Sequence, residues 1–142
     1  MLNPLFLSLL IVSRSNPAFN EVLEAHVAIE QWLAGNASAS QLDPLMARFS
    51  RHYTMITLSG QRLDYPGLYQ LFQQAYGKRP GLQIRIDELQ QIASGPGMTV
   101  VSYREWQADA LGKHTQRRST AVFEHDHGAL RWRHLHETPV AD

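Results

Sequence analysis

The 142-residue sequence contains no cysteine. This absence excludes disulfides, thiolate nucleophiles and cysteine-based zinc sites. Small secreted proteins often depend on disulfides, so the absence also favours a reducing compartment, and we expect a cytoplasmic protein. An excess of charge is missing as well, because Lys and Arg number 13 and Asp and Glu also number 13. Nucleic-acid-binding proteins usually carry a basic excess, and we therefore expect no nucleic-acid partner.

Targeting and cofactor motifs are missing too. The apolar run at residues 4–12 is far shorter than the ~20 residues that span a bilayer, so we expect no membrane partner. No basic residue precedes this run and Arg14 follows it, which differs from the pattern of a secretory signal. We predict that residues 1–15 form an N-terminal extension that packs on the domain or on a second subunit; a secretory signal is the alternative. The chain has no glycine-rich phosphate loop leading into a helix and no serine-elbow motif, so we predict no cofactor.

What is present is sufficient for one folded domain. Hydrophobic residues make up 44% of the chain, and its length is typical of a single domain, which we place at residues 16–140. Apolar residues at helical spacing predict helices over residues 16–33, 42–50 and 65–76. Alternation of apolar and polar residues predicts a strand over residues 52–58 and a run of further strands, joined by short turns, in the second half of the chain.

This order of elements predicts an α+β fold. Helices in front of a run of consecutive strands favour an antiparallel sheet beside a helical layer. We predict a half-barrel in which a curved antiparallel sheet wraps around about three helices. Such a fold tends to leave a pocket between the sheet and the helices.

Four short segments resemble one known family. Residues 25–33, 49–56, 117–123 and 130–138 are similar to the first helix, the entry into the first strand and the last two strands of the uncharacterised SnoaL-like branch of the nuclear transport factor 2-like superfamily, to which ketosteroid-isomerase-like proteins also belong. The last segment carries Trp132, a His-x-His pair and a His-Glu-Thr sequence, as that branch does. The resemblance covers residues 19–138, and it implies a cone-shaped, cystatin-like fold and a homodimer.

The resemblance implies a fold more than an activity. Members of the superfamily include isomerases, dehydratases, cyclases and oligomerisation modules. The steroid isomerases use a pocket aspartate as the base, with a tyrosine and a protonated aspartate as oxyanion donors. Tyr53 could occupy the tyrosine position, but the neighbours of Asp87 do not match the isomerase pattern, so this chemistry is not carried over.

The first predicted helix carries two polar residues inside its apolar stripe. His26 and Glu30 lie four residues apart and share a helix face with Val22, Ile29 and Leu33. Polar groups in such a stripe must be paired or must line a cavity. One interpretation is a pocket histidine that Glu30 orients and charges, which would make His26 a general base. The alternative is a buried structural hydrogen-bonded pair, or a helix rotated so that Glu30 reaches solvent.

The last predicted strand carries a second group of candidates. Trp132, His134 and His136 alternate, so we expect them on one side of the sheet, where they could bind a ligand. The two histidines, with His26 and Glu30 opposite, could also hold a metal, but spacing alone is weak support and we predict no metal site. The alternative is that these side chains pack within the sheet or at a dimer interface.

A third candidate pair lies on a neighbouring strand. Arg104 and Trp106 share a side of that strand with Ser102. An arginine beside a tryptophan in a concave sheet could clamp a carboxylate or stack on an aromatic ligand. The alternative is an arginine that forms a surface ion pair.

Together these features predict a protein that binds a small organic ligand in a pocket. Isomerase, dehydratase or hydrolase chemistry on that ligand is one extension of this prediction, and whether the protein is an enzyme is left open. If it is catalytic, His26 is the predicted base, Glu30 its partner, and Tyr53 or Arg104 the donor to developing negative charge. The alternative function is a non-enzymatic module for dimerisation or protein interaction, and a homodimer is expected in either case.

Overall fold

The first helix, α1 (Pro17–Ala34), is capped at both ends by residues that favour a helix end. The Asn16 side chain accepts a hydrogen bond from the Phe19 amide at 3.1 Å, and Pro17 occupies the first turn, where its missing N–H is not needed. Gly35 ends the helix with a φ of 78°, a left-handed conformation that glycine adopts without strain. The computed structural model describes residues 16–141, so the predicted extension at residues 1–15 lies outside the described residues.

Two further helices and six strands follow α1. In chain order they are a 3₁₀ turn at Ala39–Gln41, α2 (Leu42–Met46), β1 (Phe49–Ile56), β2 (Arg62–Asp64), α3 (Tyr65–Ala75), β3 (Gln83–Ser94), β4 (Met98–Ala108), β5 (His114–Asp126) and β6 (Ala129–Pro139). No helix within residues 16–141 is long and apolar enough to cross a membrane.

The second helix is shorter than its apolar spacing predicts. The predicted helix ran to residue 50, but α2 ends at Met46 and β1 already starts at Phe49. Phe49 pairs with Trp132 of β6 and packs in the core. The apolar residues before it fit a helical period, but the pairing with Trp132 places Phe49 in the core as part of a strand.

The six strands form one mixed sheet in the order β2-β1-β6-β5-β4-β3. The prediction of an α+β fold is confirmed, with an open sheet and three α-helices within residues 16–141. One pairing differs from the expected antiparallel pattern, because β1 lies parallel to β6 while the other neighbours are antiparallel. The parallel pair joins the first strand of the chain to the last one, so the middle of the sheet is formed by segments that are far apart in the sequence.

One face of the sheet packs against the helices and is called the inner face here. On β4 the residues of this face, Thr99, Val101, Tyr103, Glu105 and Gln107, are all buried, while the residues between them on the outer face are half-buried. The largest fully buried side chains of the core are Trp132, Tyr53, Tyr103, Phe123, Val22 and Val101. They come from β1, β4, β5, β6 and α1, so the core lies between the inner face and the first helix.

A bulge in β6 changes which residues of that strand face inward. Phe123 pairs with Trp132, but the adjacent Val122 pairs with His134, so Arg133 is an extra residue in β6. A one-residue insertion moves every following side chain to the other face. Trp132 and Leu135 are therefore both buried on the inner side, whereas His136 is exposed.

Candidate functional site

A cavity of about 380 Å³ lies between the helices and the inner face. Its walls are mostly apolar, and they include Ile29, Leu33, Phe49, Met55, Leu68, Leu71, Phe72, Trp132 and Leu135. Its polar lining includes His26, Tyr53, Arg79, Glu105, Gln107, Arg117 and Glu137. A largely apolar cleft with a few convergent polar groups is the usual form of a small-molecule site.

The polar end of the cavity is built around His26, which is 7% exposed. One turn of α1 earlier, the Val22 carbonyl accepts a hydrogen bond from Nδ1 of His26 at 2.7 Å. On the other side of the ring, Nε2 lies 3.1 Å from Oε1 of Glu105, which projects from β4. Both neighbours are acceptors, so both ring nitrogens act as donors and the ring is an imidazolium. The edges of Tyr103 and Trp132 pack around it.

The charges of His26 and Glu105 stabilise each other against burial. Burial alone would lower the pKa of His26, but the charge and hydrogen bond of Glu105, helped by the Val22 carbonyl, raise that pKa overall. Burial alone would raise the pKa of Glu105, yet His26, together with Arg117 and the Gln107 amide, lowers it to about 2. The pair is therefore an ion pair at neutral pH, and His26 has no free lone pair with which to act as a base.

A chain of polar contacts links this ion pair to the rim of the cavity. The Gln107 amide donates to Oε2 of Glu105 at 2.6 Å, and its oxygen accepts a hydrogen bond from Arg79. Arg79 precedes β3 and is half-buried, and its backbone amide donates to the Leu33 carbonyl near the end of α1. The buried glutamine thereby connects a guanidinium at the cavity edge to the buried imidazolium.

A second ion pair lines the cavity beside the first. Nη1 of Arg117, on β5, lies 3.3 and 3.5 Å from the two carboxylate oxygens of Glu137 on β6. Burial raises the pKa of Glu137, and the nearby charge of Glu105 raises it further, in opposition to Arg117. The two glutamates of the cavity thus differ, since Glu105 is held ionised and Glu137 is the one more easily protonated.

Glu30 is not the partner of His26, so the predicted pairing within the helix is wrong. The Glu30 carboxylate accepts a hydrogen bond from the Ile84 amide of β3 at 2.7 Å, and Glu30 does not line the cavity. Residues four apart share a helix face, but the Glu30 side chain extends toward β3, whereas the His26 ring turns toward β4. The acidic partner of His26 is Glu105, 79 positions further along the chain.

Tyr53, the candidate donor, lines the cavity from the inner face of β1 and is 1% exposed. Burial raises the pKa of its hydroxyl well above the usual range, and the charge of Glu137 adds to the effect. The phenol is therefore neutral and can act only as a hydrogen-bond donor or acceptor toward a bound molecule.

The three candidates on β6 do not share a face. Trp132 lines the cavity, and its indole N–H donates to Glu21 on α1 at 3.0 Å. The bulge at Arg133 places His134 and His136 on the outer face, where His134 bonds to the Thr54 hydroxyl at 2.8 Å. The prediction of one common side is wrong, and the two histidines cannot converge with His26 across the sheet. Within residues 16–141 no cluster of three or more histidine or acidic side chains could hold a metal ion.

Arg104 and Trp106 also lie on the outer face rather than at the cavity. Arg104 binds Asp87 of β3 through two hydrogen bonds of 2.8 Å, and the Trp106 indole donates to the same carboxylate at 3.2 Å. These bonds hold the pKa of Asp87 at about 2. The guanidinium that was expected to clamp a ligand carboxylate is clamping one from the protein, which is the ion-pair alternative.

The cavity residues that the sequence analysis missed are Arg79, Glu105, Gln107, Arg117 and Glu137. For β4 the sequence did contain the necessary signal. Val101, Tyr103 and Glu105 are two residues apart and so share one side of the strand. Val101 and Tyr103 are more apolar than Ser102 and Arg104 on the other side, which indicates that the side with Glu105 is the buried one. For Glu137 no such signal exists, because the bulge reverses the alternation that begins at Trp132.

Many solved structures share this fold, and three of them span a wide range of sequence identity. The first is an NTF-2 like protein of unknown function from Pseudomonas aeruginosa, with 45% sequence identity and a TM-score of 0.85 over 89% of this chain and 100% of that one. The second is a candidate dehydratase of the NTF2-like family from Streptomyces avermitilis, with 11% identity and a TM-score of 0.65 over 89% and 100% of the two chains. The third is a hub homology domain of calcium/calmodulin-dependent protein kinase II from Chlamydomonas reinhardtii, with 18% identity and a TM-score of 0.70 over 91% and 100%.

The two other comparisons gave no match. No protein-family model matches the sequence, and no curated protein is significantly similar to it. The relationship with the Pseudomonas protein is close enough to show common family membership, whereas the two more distant structures show a shared fold alone.

Proposed function

The chain belongs to the NTF2-like family, and from that premise we propose that it binds a small, largely apolar organic molecule in the cavity between its helices and the inner face of its sheet. The observation that carries this proposal is the cavity of about 380 Å³ with apolar walls and the buried His26–Glu105 ion pair at one end. Buried ion pairs cost desolvation energy, so a pair at a cavity wall is more readily explained by ligand orientation than by stability.

The proposal is tested with a neutral apolar dye and a variant that narrows the cavity. Leu71 lines the cavity and is 43% exposed, so it lies where the cavity meets solvent and Leu71→Trp adds bulk there without displacing the core. Leu111→Trp is the matched control, since Leu111 is 94% exposed and does not line the cavity. The probe is N-phenyl-1-naphthylamine, whose fluorescence rises in apolar surroundings.

We expect saturable binding of the dye to the wild type and to Leu111→Trp, and binding about tenfold weaker to Leu71→Trp. Both variants should keep the circular dichroism spectrum of the wild type. Dye binding that does not saturate, or that is equal in all three proteins, would contradict a ligand cavity at this position.

Acid–base chemistry on the bound molecule stays a prediction, and the geometry supports a different residue for it. His26 donates from both ring nitrogens, so it has no lone pair that could accept a proton until it has released one of its own. Glu137 lines the cavity, and burial raises its pKa above the ordinary value, which favours it over Glu105 as the carboxyl group that exchanges a proton with a ligand.

A second candidate function is self-association through the outer face of the sheet. A shallow groove of about 630 Å³ runs across this face, lined by residues that include Glu88, Ser102, Arg118, Thr120 and His136. Beside it, Trp106 is flanked by the guanidinium groups of Arg85 and Arg104, 5.0 and 4.6 Å from the ring centre. Tryptophan and arginine are enriched at protein interfaces, which favours a homodimer formed by this face. The resemblance in fold to a kinase hub domain is consistent with such a role.

A further inference from the structure

Among residues 16–141, Arg79 is the cavity cation without an ionic partner. It lines the cavity and is half-buried, and within residues 16–141 its side chain bonds only to the Gln107 amide. The other two cations are matched, since His26 pairs with Glu105 and Arg117 with Glu137. A guanidinium carries five N–H donors in a planar fork, so the donors of Arg79 that Gln107 does not use remain available for a ligand.

The charges that line the cavity leave one positive charge in excess. In the part of the chain that the structure describes, three lining side chains are cationic, His26, Arg79 and Arg117, and two are anionic, Glu105 and Glu137. Low-dielectric walls concentrate the field of such a charge inside a cleft. The relay through Gln107 to Glu105 also holds Arg79 in place, because the glutamine is 7% exposed and bonded at both ends of its amide.

We propose that the ligand of this cavity is an organic monocarboxylate with an apolar body, and that Arg79 binds its carboxylate. The inference rests on the proposed function of the cavity as a binding site. A planar carboxylate matches the fork of a guanidinium through two parallel hydrogen bonds. One excess positive charge is balanced by one negative charge, so a monoanion fits better than a phosphate dianion. The apolar body lies against walls such as Leu33, Leu68 and Phe72.

The experiment compares two probes of equal chain length, octanoate, whose charged headgroup has two acceptor oxygens, and octanamide, whose neutral headgroup has one. Their binding is measured by isothermal titration calorimetry on the full chain at low ionic strength. A charge-assisted pair of hydrogen bonds is stronger than a neutral one, so we expect octanoate to bind the wild type about tenfold more tightly than octanamide. High salt should reduce this advantage, because Arg79 is only half-buried.

Three variants assign the advantage to Arg79. Arg79→Met keeps the apolar stem without the charge, and we expect octanoate and octanamide to bind it within about twofold of each other. Arg79→Lys keeps the charge but loses the fork, and should restore part of the advantage. Lys78→Met, at an exposed neighbour, is the control and should bind both probes as the wild type does.

The outcomes separate this inference from the function on which it rests. If octanamide binds the wild type as tightly as octanoate, or if the advantage survives in Arg79→Met, the carboxylate assignment is wrong while the cavity still binds ligands. If the neutral dye binds the wild type more tightly than Leu71→Trp but neither octanoate nor octanamide binds, the assignment is overturned as well. If neither the dye nor the probes bind, the proposed function fails together with the inference.

Discussion

The ring of His26 is held between two acceptors, and this fixes both its charge and its orientation. Nδ1 donates to the Val22 carbonyl at 2.7 Å, and Nε2 faces Glu105 at 3.1 Å. With side chains that are 8% and 4% exposed, neither partner can exchange its bond for one to water. The carboxylate that keeps the ring charged is therefore Glu105, although the helix spacing favours Glu30.

Replacing Glu105 should therefore be far more costly than replacing Glu30. We expect Glu105→Gln to lower the free energy of unfolding by about 3 kcal/mol, because it leaves a buried imidazolium without its counter-charge. The matched control is Glu30→Gln, which keeps an oxygen that can accept the Ile84 amide, and should change stability by no more than about 0.5 kcal/mol. Urea denaturation of both variants near pH 6 measures the difference, and equal losses would disprove the assignment of Glu105.

The raised pKa of His26 predicts a dependence of stability on pH. Because the folded state binds the proton more tightly than the ordinary value of 6.5 implies, the contribution of His26 is complete below pH 6.5 and is lost as the pH rises through the folded pKa. The charges of Glu105 and Glu137 act on the ring and Tyr103 packs against it, while Arg117 acts on Glu105. Glu137 gives a slope of the same sign, but one that begins near its own ordinary value of 4.5.

The measurement that isolates His26 is the difference in unfolding free energy between the wild type and His26→Gln, followed from about pH 5.5 to about pH 9. We expect this difference to shrink as the pH rises, since the wild type loses the favourable charge that the variant never had. A difference that stays constant or grows with pH would show that His26 is neutral in the folded protein.

At the scale of single elements, β6 shows what alternation alone cannot predict. Two residues apart, Trp132 and His134 should share a face, but the extra residue Arg133 separates them. A bulge depends on how β5 and β1 pair with β6, and those contacts join residues far apart in the chain. The alternation therefore gave the correct face for Trp132 but the wrong face for His134 and His136.

Two alanine substitutions on β6 test the position of this bulge. Leu135 is 9% exposed and lies on the inner side, so we expect Leu135→Ala to lower the free energy of unfolding by about 2 to 3 kcal/mol. His136 is exposed on the outer face, and His136→Ala should change stability by no more than about 0.5 kcal/mol. Urea denaturation compares them. An uninterrupted alternation from Trp132 would give the reverse order, with the larger loss at His136.

At the scale of the whole molecule, local signals were sufficient for most of the architecture. β4 is one of the strands predicted for the second half of the chain, and a glycine-containing turn lies on each side of it. α1 follows from the cap at Asn16 and the glycine at its end. The parallel pairing of β1 with β6 could not be predicted in this way, since no local pattern specifies which distant strand becomes a neighbour.

The candidate site was predictable only where one element supplied the signal. His26 and Trp132 could be identified because each belongs to a clear apolar pattern. The ion pairs and the Arg79 relay join residues from α1, β4, β5, β6 and the segment before β3. Such contacts depend on the complete fold, which explains why Glu105 and Glu137 were found only in the structure.

The association of whole molecules is tested at the groove of the outer face. Thr120 is exposed in that groove, between Ser102 of β4 and His136 of β6. In a two-fold dimer the same surface meets itself, so a charged side chain at its centre is placed against its own copy and repels it.

We therefore expect the wild type to have twice the 16.1 kDa mass of one chain in light scattering, and Thr120→Arg to be monomeric. Gln73→Arg, which adds the same charge at an exposed position of α3, should remain dimeric. A wild type that is monomeric at micromolar concentration would remove this role from the outer face, and a dimeric Thr120→Arg would place the interface elsewhere on the molecule.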